Sequence, residues 1–186
     1  MLPVLARAIS IVGHPLAVLM AAFLLESWSR GASPADLRAI LVGTVIAGGA
    51  VIAYSWYRVR RGDWAHVDAS NVGERRSFNR VLVGALGVSA AVAWQRDPLV
   101  GRQLALAAAI VGAGMLTARF CKLSIHVGFA VFAAVIALRV SVAAGVAFLL
   151  LAMAVTWSRL HLRRHVVRDV VAGGAAGLVA GALAIL

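Results

Sequence analysis

The sequence predicts an all-α fold, a polytopic transmembrane helix bundle of about six or seven helices, and three observations carry that expectation. Hydrophobic residues make up 62% of the 186 positions, whereas a soluble domain of this size has about half. Mean hydropathy is +0.93. The apolar residues form long runs separated by short, arginine-rich polar segments. No internal repeat, low-complexity tail or soluble extension interrupts this pattern, so residues 1–186 read as a single integral-membrane domain.

The runs lie at 9–25, 39–57, 81–94, 103–118, 127–138, 140–157 and 170–186. Several fall short of the ~20 residues that cross hydrocarbon untilted, so interfacial residues at their ends must supply the rest. The first run is too long and too poorly flanked for a cleaved signal peptide, and it is expected to be a retained helix bent at His14-Pro15. Residues 127–157 need a break. As one helix they would extend about 46 Å at 1.5 Å per residue, well beyond a ~30 Å hydrocarbon core. An arginine in mid-membrane costs about 2.5 to 3.5 kcal/mol on insertion scales, which favours two short helices turning near Arg139 at an interface. Small residues in 112–114 and 172–177 fit close helix packing.

The formal net charge of +11 does not point to nucleic acid, because the basic residues sit between apolar runs. Membrane lipids and anionic or phosphate-bearing ligands are the partners it suggests. With seven crossings, thirteen of the 18 Lys and Arg residues fall on the face shared with the N-terminus. The positive-inside rule then places that face in the cytoplasm. Trp56, Tyr57, Trp64, Trp94 and Trp157 suit an interfacial aromatic belt. The single cysteine, Cys121, excludes an intramolecular disulfide and reads as a small interfacial residue.

Three polar segments, 68–76, 122–126 and 158–169, contain the residue types that phosphate chemistry uses. An even number of crossings separates each from the next, so all three are expected at one face. In the last segment His165 and Asp169 are four residues apart. If the segment begins a helix, they share one side of it, and the carboxylate can hold one ring nitrogen while leaving the other free as a nucleophile.

Ser158, Arg159, His165 and Asp169 meet in full the pattern Ser-Arg, five residues, His, three residues, Asp. In this the chain resembles the type-2 phosphatidic acid phosphatase family, membrane relatives of vanadium haloperoxidases and bacterial acid phosphatases. Lys122, Ser124 and His126 resemble the Lys-x-Ser-x-His form of a divergent bacterial branch, in place of the family's Pro-Ser-Gly-His. The family's first motif, Lys, six residues, Arg-Pro, is matched only in spacing, by Asp68 and Arg75, with Arg76 in place of the proline. Spacing leaves Arg75 and Arg76 open as the motif arginine. The resemblance covers about 68–169, and nothing before the second run contributes to it.

The resemblance implies metal-independent and cofactor-independent hydrolysis of a lipid phosphate, or of a polyprenyl phosphate or diphosphate, in a bacterial inner membrane. His165 would be the nucleophile, Asp169 its orienting carboxylate, and His126 the general acid and base. Arg75 or Arg76, Lys122, Ser124 and Arg159 would surround the phosphate oxygens. Two other functions fit the same residues: a lipid phosphotransferase of this family, and a non-catalytic anion-binding membrane protein or transporter. Of the remaining histidines, His14 is expected to be an interfacial or a backbone-satisfying residue, not a ligand, and His66 with Asp68 to cap or orient the loop before the third run. His161 and His165 have the spacing of a metal pair on a helix but lack a third nearby ligand.

Overall fold

The computed structural model of the chain describes residues 2–65 and 71–186, at Val72 the backbone only. His66 and Asp68, and what the sequence assigns to them, lie outside the described residues. Among these residues there is no strand. The helices are α1 (Leu2–Val12), α2 (Pro15–Ser29), α3 (Pro34–Arg60), α4 (Val72–Trp94), α5 (Pro98–Leu116), α6 (Ile125–Leu138), α7 (Val142–His161) and α8 (Val167–Ile185).

Local chemistry explains where these helices start. Proline occupies the first position of α2, α3 and α5, where its fixed φ suits a helix and its missing N–H costs nothing. Ser33 and Asp97 cap α3 and α5 through their side-chain oxygens, and Ser141 Oγ accepts from Ala144 N at 3.0 Å at the start of α7. Each bond satisfies an amide that the helix leaves unpaired. At α4, Glu74 does the same from inside the first turn, accepting from Asn71 N at 3.1 Å and from Ala65 N at 3.0 Å.

Five helices, α3, α4, α5, α7 and α8, are long and apolar enough to cross a membrane, and α1 with α2 form a sixth, bent candidate with a 48° break. The expected bend at His14-Pro15 is therefore present. The expected turn near Arg139 is present too, between α6 and α7. Together with the shorter α6, these make seven apolar passages. Most helices outrun their apolar cores: α4 begins at Val72, so Arg75, Arg76 and Arg80 are helical, and α7 continues through Ser158 and Arg159.

Helix α6 is the axis of the bundle. Its 14 residues span about 21 Å, less than the hydrocarbon core, yet Phe132, Ala133 and Ile136 are completely buried. A helix apolar on every side requires such enclosure, and α2, α5, α7 and α8 provide it. Between α6 and α8 the backbones meet. A Cβ on Gly173 would enter the Ser124 carbonyl, and one on Gly177 would enter the backbone of Gly128. Helices α3 and α4 pack on each other at the periphery, leaving residues such as Ile46, Ile52, Val88 and Val92 exposed. In water these would be a large apolar patch; in a bilayer they meet lipid.

At the end carrying the α6–α7 turn, a largely buried polar knot joins four helices, α2, α5, α6 and α8. Glu26, 1% exposed, lies 3.0 Å from Arg139 Nε and accepts from the amide of the fully buried Gln103. Arg102 and Arg139 both donate to the Ala184 carbonyl, at 2.6 and 3.4 Å. The charge of Arg139 thus has a carboxylate and a helix terminus as partners at the edge of the bundle.

The alternating passages make a simple sidedness test. In intact vesicles, Cys121 of the α5–α6 loop and a cysteine introduced as Ser141→Cys in a Cys121→Ser background are expected to react with an impermeant maleimide from opposite sides. Labelling from the same side would refute the α6–α7 hairpin.

Candidate functional site

Three segments meet at the end opposite the Glu26 knot: the described residues that follow α3, 61–65, and the loops 117–124 after α5 and 162–166 after α7. The last two are held together by Asp169, in the first turn of α8 and 4% exposed. Its Oδ1 accepts from Lys122 N at 2.9 Å and its Oδ2 from Val166 N at 3.3 Å, while its backbone carbonyl accepts from Ser124 N at 3.0 Å. A carboxylate is suited to this position because it completes the orphan amides of a helix start and complements the dipole there. Lys122 Nζ donates to the Arg164 carbonyl at 3.2 Å, a second link between the loops.

His165 differs in setting from the sequence expectation. The segment 158–169 does not begin a helix. Ser158 and Arg159 end α7, residues 162–166 turn, and His165 precedes α8. The turn includes Arg163 at φ 52°, left-handed backbone that is unusual for a residue with a Cβ. The ring of His165 is brought against Asp169 nonetheless, with Nδ1 3.5 Å from Oδ2 and both side chains almost wholly buried. Its closer partner is the Lys122 carbonyl, 3.0 Å from Nδ1. A carbonyl accepts only, so this contact fixes the proton on Nδ1 and leaves Nε2 with its lone pair.

Burial pushes the His165 pKa down to about 4, and the charges of Arg159 and Lys122 push the same way. Asp169 and the Lys122 carbonyl oppose that shift. The imidazole is consequently neutral at pH 7. The Lys122 ammonium is likewise lowered, first by burial and then by the charges of Arg75, Arg159 and Arg164, with Asp169 opposing. Charge from α4, α7 and the α7–α8 loop therefore converges on one lysine.

The other sequence-chosen residues distribute unevenly. His126, in the first turn of α6, has His14, His165, Arg159 and Arg164 as its ionisable neighbours. Of the two candidate arginines, Arg75 is half-buried and acts on Lys122, whereas Arg76 is exposed. Arg159 Nη1 donates to Ser10 Oγ at 3.0 Å. Ser124 is fully buried, and its Oγ has no hydrogen-bond partner. Ser158 is also fully buried and donates to the Ala6 carbonyl at 2.6 Å, so it ties α7 to α1.

Two further observations modify the sequence reading. The first apolar passage does reach the site: Ser10 contacts Arg159, and the His14 ring lies 5.9 Å from that of His126. Neither carries a motif, and only the proline after His14 signalled a break in the helix there. Trp64 is 4% exposed and packs edge-on against Tyr54 instead of joining the aromatic belt, whereas Trp56, Tyr57, Trp94 and Trp157 are exposed as expected. His161 stacks on Trp157 at 5.1 Å. Among the described residues no three His, Cys, Asp or Glu side chains group where they could hold one metal ion.

The depressed His165 pKa has a consequence for stability. The ordinary histidine value is 6.5, so between there and about 4 the unfolded chain binds more protons than the folded one. The contribution of His165 is then complete above 6.5 and is lost as pH falls through that window. Unfolding midpoints in detergent are expected to fall more steeply with acidification for the wild type than for His165→Asn.

Compared with known proteins, the chain matches no family model, no curated protein and no solved structure.

Proposed function

We propose that the chain is a membrane-embedded phosphatase that removes phosphate from a lipid phosphomonoester or from a polyprenyl phosphate or diphosphate. The observation that carries this reading is a neutral, oriented imidazole within a converging set of cations: His165 keeps Nε2 available, and Arg75, Lys122, Arg159 and Arg164 act on the same small region. Like charges repel when gathered in a semi-buried place, and a bound dianion relieves that repulsion.

In the proposed reaction His165 Nε2 attacks phosphorus in line. The P–N bond forms as the P–O bond to the lipid breaks, and His126, which takes up a proton from solvent once the bound dianion offsets Arg159 and Arg164 beside it, gives that proton to the departing oxygen. Water then attacks the phosphohistidine, loses its proton to His126, and returns His165 with release of inorganic phosphate. Arg159, Arg75 and Lys122 stabilise the charge on the phosphoryl oxygens. The Lys122 carbonyl and Asp169 share the Nδ1 proton of His165, which becomes more acidic as positive charge develops on the ring. Ser124 enters this scheme only if its hydroxyl turns from its buried position. Arg76 is not needed as a phosphate ligand and is suited to anionic headgroups.

The site lies at the loop end of the bundle, so a substrate can keep its apolar chain in the bilayer while its head reaches His165. A location in a bacterial inner membrane with the arginine-rich face inside is part of this proposal, resting on the charge asymmetry. Transfer to an alcohol instead of water would use the same first step.

Incubation of purified protein with radiolabelled phosphatidic acid or undecaprenyl diphosphate is expected to release phosphate and, on acid-free quenching, to leave label on His165. His165→Ala should abolish both, and Asp169→Asn should reduce the rate by at least about 100-fold. Phosphate release by folded His165→Ala at the wild-type rate would overturn the assignment. Between the arginines, Arg75→Ala is expected to raise KM about tenfold or more and Arg76→Ala less than about twofold, measured from initial rates in mixed micelles.

A further inference from the structure

The first passage of the chain contacts the site through one elbow, at two points. Helix α1 packs along α7, and consecutive residues of α7 bind it. Ser158 Oγ donates to the Ala6 carbonyl at 2.6 Å, and Arg159 Nη1 donates to Ser10 Oγ at 3.0 Å. Ala6 and Ser10 are four residues apart, so they lie on the same side of α1. The helix then breaks, and α2 departs at 48°. Gly13 occupies that break against α7, because a Cβ there would enter the side chain of the fully buried Val155. The elbow is thus seated on the same helix that carries Arg159.

His14 follows directly. It caps α2, its Nδ1 accepting from Leu16 N at 3.3 Å. An accepting Nδ1 in a neutral ring assigns the proton to Nε2. The ring stands 82° to that of His126 with centroids 5.9 Å apart, an edge-to-face arrangement that restricts both rings. An arginine used to bind phosphate bidentately depends on the plane of its fork, and a general acid on the direction of its ring. Ser10 bears on the first and His14 on the second.

We infer that Ser10 and His14, presented by the α1–α2 elbow, are positioning residues of the phosphate site, Ser10 setting the orientation of the Arg159 guanidinium and His14 that of the His126 ring. This rests on the phosphatase reading, and the tests below separate the two. Neither residue exchanges a proton or touches phosphorus in this role.

The first measurement is binding of inorganic phosphate to the full chain in detergent, in a double-mutant cycle. Ser10→Ala is expected to weaken binding about 5- to 10-fold in the wild-type background and by less than about twofold once Arg159→Ala is present. Ser10→Thr, which keeps the hydroxyl, should recover most of the loss. Equal losses in the two backgrounds, or none in either, would remove Ser10 from the site. Unfolding midpoints of the same variants identify any loss caused by misfolding.

The second measurement uses His14→Asn, which retains a capping side chain but removes the ring. It should lower kcat about tenfold for an alkyl phosphate, whose departing oxygen needs a proton, with KM within about twofold. With p-nitrophenyl phosphate, whose leaving group needs little protonation, the loss should be under about threefold. Equal losses on both substrates would show a merely structural residue. Wild-type protein that binds phosphate and forms phosphohistidine while both variants behave as wild type would leave the phosphatase standing and the elbow without a role. Wild-type protein that does neither would remove both.

Discussion

The site depends on backbone contact between α6 and α8, which is possible only because Gly173 and Gly177 have no side chains where they meet Ser124 and Gly128. That approach brings the first turn of α8 to the start of α6, and Asp169 then bonds Lys122 N with its side chain and Ser124 N with its carbonyl. In hydrocarbon, association of helices draws little from water, so packing at short distance is the main source of affinity between them. The residues that let two helices touch are therefore also those that hold two loops, and with them His165 and Lys122, in register.

A second polar assembly secures the other end. Glu26 and Gln103 are enclosed between α2 and α5, Arg139 reaches Glu26 from the exposed α6–α7 turn, and two arginines hold the carbonyl of Ala184 near the end of α8. Such a pair adds little net stability, because desolvating Glu26 offsets the attraction, but losing Arg139 leaves the buried carboxylate stranded. Here the effect is to define where the short α6 and the end of α8 lie along the bundle axis. With both ends defined, α8 cannot slide by a turn, which would carry Asp169 about 5.4 Å away from Lys122.

Charge at the loop face is arranged differently. Arg58, Arg60, Arg61 and Arg119 lie over aromatic rings of Tyr54 or Trp64, Trp56, Tyr57 and Phe120, which suits residues anchoring helix ends among lipid headgroups. Arg75 and Arg159 instead both act on Lys122, from two different helices. Burial and these cations keep His165 uncharged, a condition an imidazole must meet before it can attack an electrophile. In the proposed reaction the same local field would attract the phosphate and preserve the lone pair that attacks it.

Much of the architecture was legible from composition and spacing. The apolar runs gave the membrane bundle, the length of 127–157 required a turn at Arg139, and His14-Pro15 marked the bend. Even crossing numbers put the described part of the first polar segment, with Arg75, at the same end as the other two. Helix ends were less legible, because α4 and α7 extend through arginines that a hydropathy pattern treats as loop. The sequence also linked His165 to Asp169, but the nearest partner of the ring is the carbonyl of Lys122, and a backbone carbonyl has no residue signature. Ser10 and His14 were equally hidden, since a serine and a capping histidine acquire their neighbours only when α1 lies on α7. By itself the sequence determined which segments are apolar and which side of the bundle each polar loop occupies, since those follow from transfer energy and the parity of crossings. Tertiary structure decided which atoms meet there, because contacts of 3 Å depend on helix register and backbone approach, neither of which is encoded in any single stretch of chain.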